Sequence, residues 1–66
     1  MTYILDIDAV DGDTSIRIHS RSKQTILFYL EKLDHEGSSL RLEIKGIHGT
    51  LTVMNHSEKI YEELNR

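Results

Sequence analysis

The chain has 66 residues, of which 38% are hydrophobic and 29% charged, with a net charge of −3. That length allows one domain, near the lower limit at which an apolar core alone can hold a fold. There is no cysteine, which excludes a disulfide framework, a thiolate zinc site and a cysteine nucleophile, and the acidic balance argues against a duplex nucleic-acid binder.

Apolar residues recur throughout and no charge block exceeds two residues, so the composition is that of an ordered chain. Met1 to Asp8 lacks the basic segment and apolar run of a secretory signal, and the longest apolar run, Ile26 to Leu30, is too short to span a bilayer. The expected location is the cytoplasm.

Tyr3, Leu5 and Ile7 alternate with Ile4, Asp6 and Asp8, and Ile16 and Ile18 alternate with Arg17 and His19. Between these two strand patterns lies Asp11-Gly12, a strong hairpin-turn signal. A turn centred there sets Val10 against Asp13, Ile7 against Ile16, Leu5 against Ile18 and Asp6 against Arg17. Apolar residues fall on apolar residues and an acid on a base, so turn chemistry and face pattern agree.

After Ser20 the period becomes helical. Ser22 is the expected N-cap and Gly37 the expected stop, with His35 in the last turn. On a wheel, Ile26, Tyr29, Leu30 and Leu33 form one stripe with Leu27 at its edge, and Phe28 falls opposite, beside Gln24, Glu31 and Lys32.

Leu40, Leu42 and Ile44 alternate as a third strand, and Leu51 and Val53 as a fourth. The connection Gly46-Ile47-His48-Gly49 fits a loop of either two or four residues. Asn55 or Ser57 is the expected cap of a second helix whose stripe is Ile60, Tyr61 and Leu64, with Lys59–Glu63 and Glu62–Arg66 spaced to pair.

The expected fold is a single α+β domain over residues 1–66, a two-layer sandwich of order ββαββα. Two hairpin-plus-helix units share one four-stranded sheet, with both helices on one face. The symmetric packing gives strand order 1-2-4-3, a circular permutation of the ferredoxin-like arrangement, with 2-1-3-4 as the rival. The expected core is Leu5, Ile7, Ile16, Ile18, Ile26, Leu30, Leu33, Leu42, Ile44, Leu51, Val53, Ile60 and Leu64.

Candidate chemistry is sparse. Asp6, Asp8, Asp11 and Asp13 do not match a calcium loop, because Val10 and Asp11 stand where a ligand and a glycine are needed. His19, His35, His48 and His56 lack zinc-motif spacing, although His19 and His56 could meet near the ends of the central strands of that order. No glycine elbow or phosphate-cradling glycine pattern occurs, and so small a two-layer domain is not expected to enclose a pocket of ligand size. No catalytic residue, metal or cofactor is expected.

The open sheet face should carry Ile4, Asp6, Arg17, His19, Arg41, Glu43, Lys45, Thr50, Thr52 and Met54. It lacks the aromatic rings on which RNA bases stack. Arg17, His19, Arg21, Arg41 and Lys45 could still contact phosphates, which makes nucleic-acid binding the alternative function. The leading expectation is a small non-enzymatic protein-binding or regulatory module, contacting a protein partner or a second copy of itself through Phe28, Gln24, Glu31 and Lys32. Phe28 is the only phenylalanine, on the wrong side of an otherwise clear stripe, and aromatics are enriched where partners dock.

Overall fold

A computed structural model describes residues 1–66. The elements in chain order are β1 (Thr2–Asp8), β2 (Ser15–Ser20), α1 (Lys23–Leu33), β3 (Ser39–Gly46), β4 (Gly49–Met54) and α2 (Ser57–Leu64). They form a four-stranded antiparallel sheet with two helices packed on it.

The first hairpin has the register its side chains call for: Leu5 opposes Ile18, Asp6 opposes Arg17 and Ile7 opposes Ile16. Its connection is longer than a two-residue turn, and the extra residues are added evenly to the two sides. Residues 9–14 form the loop, closed by Ala9 N–H donating to Thr14 O at 2.9 Å and Gly12 N–H donating to Ala9 O at 3.0 Å. The Asp11 carboxylate accepts from the N–H groups of Asp13 (2.9 Å) and Thr14 (3.1 Å), and these bonds hold its pKa below the usual value. In the second hairpin Gly46 opposes Gly49, which leaves Ile47 and His48 as the two-residue loop.

The strand order is β2-β1-β3-β4, the rival order and not the symmetric 1-2-4-3. The reason is the distribution of apolar surface. Ile4 lies on the face away from Tyr3, Leu5 and Ile7, yet it is only 8% exposed, flanked by His19 and Glu43 on the strands either side. β1 thus has a neighbour on each side. β3 supplies one, setting Tyr3 against Ile44, Leu5 against Leu42 and Ile7 against Leu40. Strands β2 and β4 take the edges.

The start of α1 is as expected, but its C-terminal end and the cap of α2 differ. Ser22 caps α1, its hydroxyl accepting from Thr25 N–H at 3.3 Å. The helix stops at Leu33 with Asp34 as C-cap, so His35 and Gly37 lie beyond it. Gly37 serves the following turn instead: its φ is +91°, and a Cβ there would stand 2.5 Å from Val10 Cγ2.

Neither Asn55 nor Ser57 caps α2. His56 does, its Nδ1 accepting from Lys59 N–H at 3.1 Å. Asn55 instead extends the β3–β4 ladder. Its N–H donates to Leu40 O at 2.8 Å, and its Oδ1 accepts from Leu40 N–H at 3.1 Å. Its backbone is left-handed, with φ 51°, which asparagine tolerates better than most residues. On α2, Glu62 stands 3.5 Å from Arg66.

One core cluster contains Tyr3, Leu5, Ile7, Ile26, Leu30, Leu40, Leu42, Val53, Ile60 and Leu64, with residues from both helices and three strands. Leu5, Ile26, Leu30, Leu42 and Ile60 are fully buried, each contributing about 1.5–3 kcal/mol of transfer free energy. Tyr3, Ile4 and Leu40 are additions to the expected core. Ile16, Ile18, Leu33 and Ile44 are only half-buried, and Leu51 is exposed.

Candidate functional site

At about 100° per residue, Ile26 and Leu30 lie close together on the α1 wheel, Phe28 lies opposite and Tyr29 on the flank. The structure follows this geometry. Ile26 and Leu30 are fully buried, whereas Phe28 is 52% exposed and Tyr29 41% exposed. Tyr29, expected in the core stripe, is thus a surface residue. It lies too far around the helix to reach the sheet once Ile26 and Leu30 are seated.

The two rings meet edge to face, with centroids 5.3 Å apart and planes at 81°, a favoured aromatic geometry. The Lys32 ammonium stands 4.8 Å from the Phe28 centroid, within cation–π range. Gln24 and Glu31 are also exposed on this helix. The α1 surface therefore presents two aromatic rings braced against each other, with a cation over one of them. The sequence pattern placed Phe28, Gln24, Glu31 and Lys32 on the outer side of α1 but assigned Tyr29 to the core, although its flanking phase was a signal of exposure.

The opposite sheet face carries the expected residues. In register across the strands stand Arg17, Asp6, Arg41 and Met54, and next to them His19, Ile4, Glu43 and Thr52. Its cations are engaged with carboxylates. Arg17 grips Asp6 through two bonds, Nε to Oδ1 at 2.7 Å and Nη2 to Oδ2 at 3.2 Å. The Asp6 carboxylate raises the pKa of Arg17, first by this hydrogen bonding and then by its charge. Arg41 stands 2.5 Å and Lys45 4.0 Å from Glu43. His19 and Arg21 are exposed. With β2 and β4 at opposite edges, His19 and His56 do not meet as the other strand order would have allowed.

Two clefts, both open to solvent, are present on the surface. One, of about 600 Å³, is lined by Met1, Tyr3, Ile44 and Leu51, with Lys23, His48 and Arg66 among its polar residues. The Lys23 ammonium donates to the Arg66 carbonyl. The other, of about 570 Å³, lies over Asp6, Asp8, Ser15, Arg17, Ser39, Arg41 and Met54. No group of three or more His, Asp or Glu side chains stands in metal-binding geometry. No helix is long and apolar enough to cross a membrane.

Comparison with protein-family models, with curated proteins and with solved structures finds no match.

Proposed function

We propose that this chain is a small non-enzymatic protein-binding or regulatory module whose contact surface is the outer face of α1. Phe28 and Tyr29 are its anchors, and Gln24, Glu31 and Lys32 its polar rim. The observation that carries the reading is the exposed, edge-to-face Phe28–Tyr29 pair. A single exposed aromatic is ordinary. Two adjacent rings fixed by each other and by Lys32 lose little freedom on docking, which is how aromatic anchors contribute to interfaces. The helices, by this reading, cover one face of the sheet together: Ile26 and Leu30 of α1 and Ile60 and Leu64 of α2 share one cluster with the Tyr3–Leu5–Ile7 face of β1. That leaves the outward side of α1 free.

The competing reading, phosphate binding by the open sheet face, is disfavoured by the engagement of Arg17, Arg41 and Lys45 with Asp6 and Glu43. Neutralised cations release few counterions.

The test is affinity capture with the unmodified chain and with Phe28→Asp, each checked for fold by circular dichroism. A protein retained by the first and lost from the folded second supports the reading. Equal retention by both, or unfolding of Phe28→Asp, overturns it. A salt-sensitive gel shift that is lost when Arg17 and Arg41 are replaced by alanine would instead support the phosphate reading.

A further inference from the structure

Strands β2 and β4 are the outer strands of the sheet, and each exposes a row of backbone donors and acceptors. They differ in how that row is protected. β2 carries Arg17 and His19. Pairing β2 with a copy of itself about Arg17 or Ile18 sets Arg17 against Arg17 or against His19, an unfavourable contact between basic groups. β4 reads Gly-Thr-Leu-Thr-Val-Met, with no ionisable residue and no proline. Leu51 is 43% exposed and Met54 61% exposed, so β4 lacks the usual devices that keep an edge from pairing.

The direction of its backbone groups follows from its bonds to β3. Asn55 N–H points inward, to Leu40 O. Alternation along an antiparallel strand then turns Val53 and Leu51 inward too, and turns the N–H and C=O groups of Thr50, Thr52 and Met54 outward. These outward residues are symmetric about Thr52.

We propose that two copies of this chain pair antiparallel along β4, about a two-fold axis at Thr52, so that the two sheets become one. In that register Thr52 opposes Thr52 of the second copy and Thr50 opposes Met54. All of these are hydrogen-bonded positions, so every outward group of the strand finds a partner. Leu51 meets Val53 on the core face, which covers exposed apolar surface. A register centred on Leu51 or Val53 would leave outward groups of one end unpaired. Self-complementarity of this kind is what an isologous two-fold contact requires. The pairing also carries the two α1 helices away from the junction, because α1 packs on β1 and β2. The dimer would present two copies of the Phe28 face.

The absence of cysteine allows a direct test. Hydrogen-bonded opposite residues lie about 5.5 Å apart between Cα atoms, within disulfide range. Air oxidation of Thr52→Cys should therefore give a disulfide-linked dimer. Thr50→Cys should remain uncrosslinked, since its own counterpart in the second copy would be roughly 13 Å away. A mixture of Thr50→Cys and Met54→Cys should link one to the other. Thr52→Lys places an ammonium against its own copy. It should sediment as a single chain with an unchanged circular dichroism spectrum, where the unmodified chain sediments as a dimer. Failure of Thr52→Cys to link, equal linking at Thr50, or sedimentation of the unmodified chain as a monomer would overturn the proposal. Phe28→Asp should leave the Thr52→Cys link intact, which separates this pairing from the α1 contact.

Discussion

Asn55 shows how one side chain can do the work of a backbone. Its Oδ1 replaces a ladder acceptor for Leu40 N–H, while its own N–H completes the pair. Asn55→Gly keeps access to the left-handed conformation but strands the Leu40 donor, and should cost about 1–3 kcal/mol in chemical denaturation. Asn55→Ala adds backbone strain and should cost more. Asp34 plays a comparable part between the helices, accepting from the hydroxyls of Ser57 at 3.1 Å and Tyr61 at 3.5 Å. Burial raises the pKa of the Tyr61 phenol, and the charges of Asp34 and Glu31 raise it further. A raised phenol favours the folded state while it is protonated. Its contribution is whole below the unfolded tyrosine value of about 10 and is lost as pH rises through the folded value. Ultraviolet titration should show one tyrosine ionising above the ordinary range, and Asp34→Asn should bring it down.

At the scale of elements, register was legible in the sequence and strand order was not. The first hairpin was readable because Asp11-Gly12 and the alternation of Leu5, Ile7, Ile16 and Ile18 constrain the same pairing. Strand order depends on which strands are covered on both sides, and symmetry between the two hairpins suggested the wrong pair. The available signal was Ile4, an apolar residue on the polar side of β1 that is buried between neighbours on both sides. The C-terminal end of α1 was misread because Gly37, a common helix terminator, is held in its conformation by the turn beside Val10. The surface of α1 was legible in part: phase placed Phe28 outside but assigned Tyr29 to the core. Hydrogen exchange tests the order. The β1 amides of Ile4 and Asp6 face β3 and should be protected, whereas the β2 amides of Arg17 and His19 face outward and should exchange markedly faster. Fast exchange at Ile4 and Asp6 would contradict the central position of β1.

For the whole molecule, a small core means that each buried side chain carries a large share of stability. Leu30 is fully buried, and Leu30→Ala should cost about 2–5 kcal/mol. That is enough to lower the melting temperature by about 10 °C or more in a domain of this size. Phe28, two positions earlier, should behave in the opposite way, because its ring is a surface feature. The α1 contact is tested most directly by chemical-shift mapping, with an isotope-labelled chain titrated by a protein retained in the affinity capture. The account predicts perturbations concentrated at Gln24, Phe28, Tyr29, Glu31 and Lys32. Perturbations centred on Arg17, Arg41 and Glu43, with α1 unaffected, would contradict it.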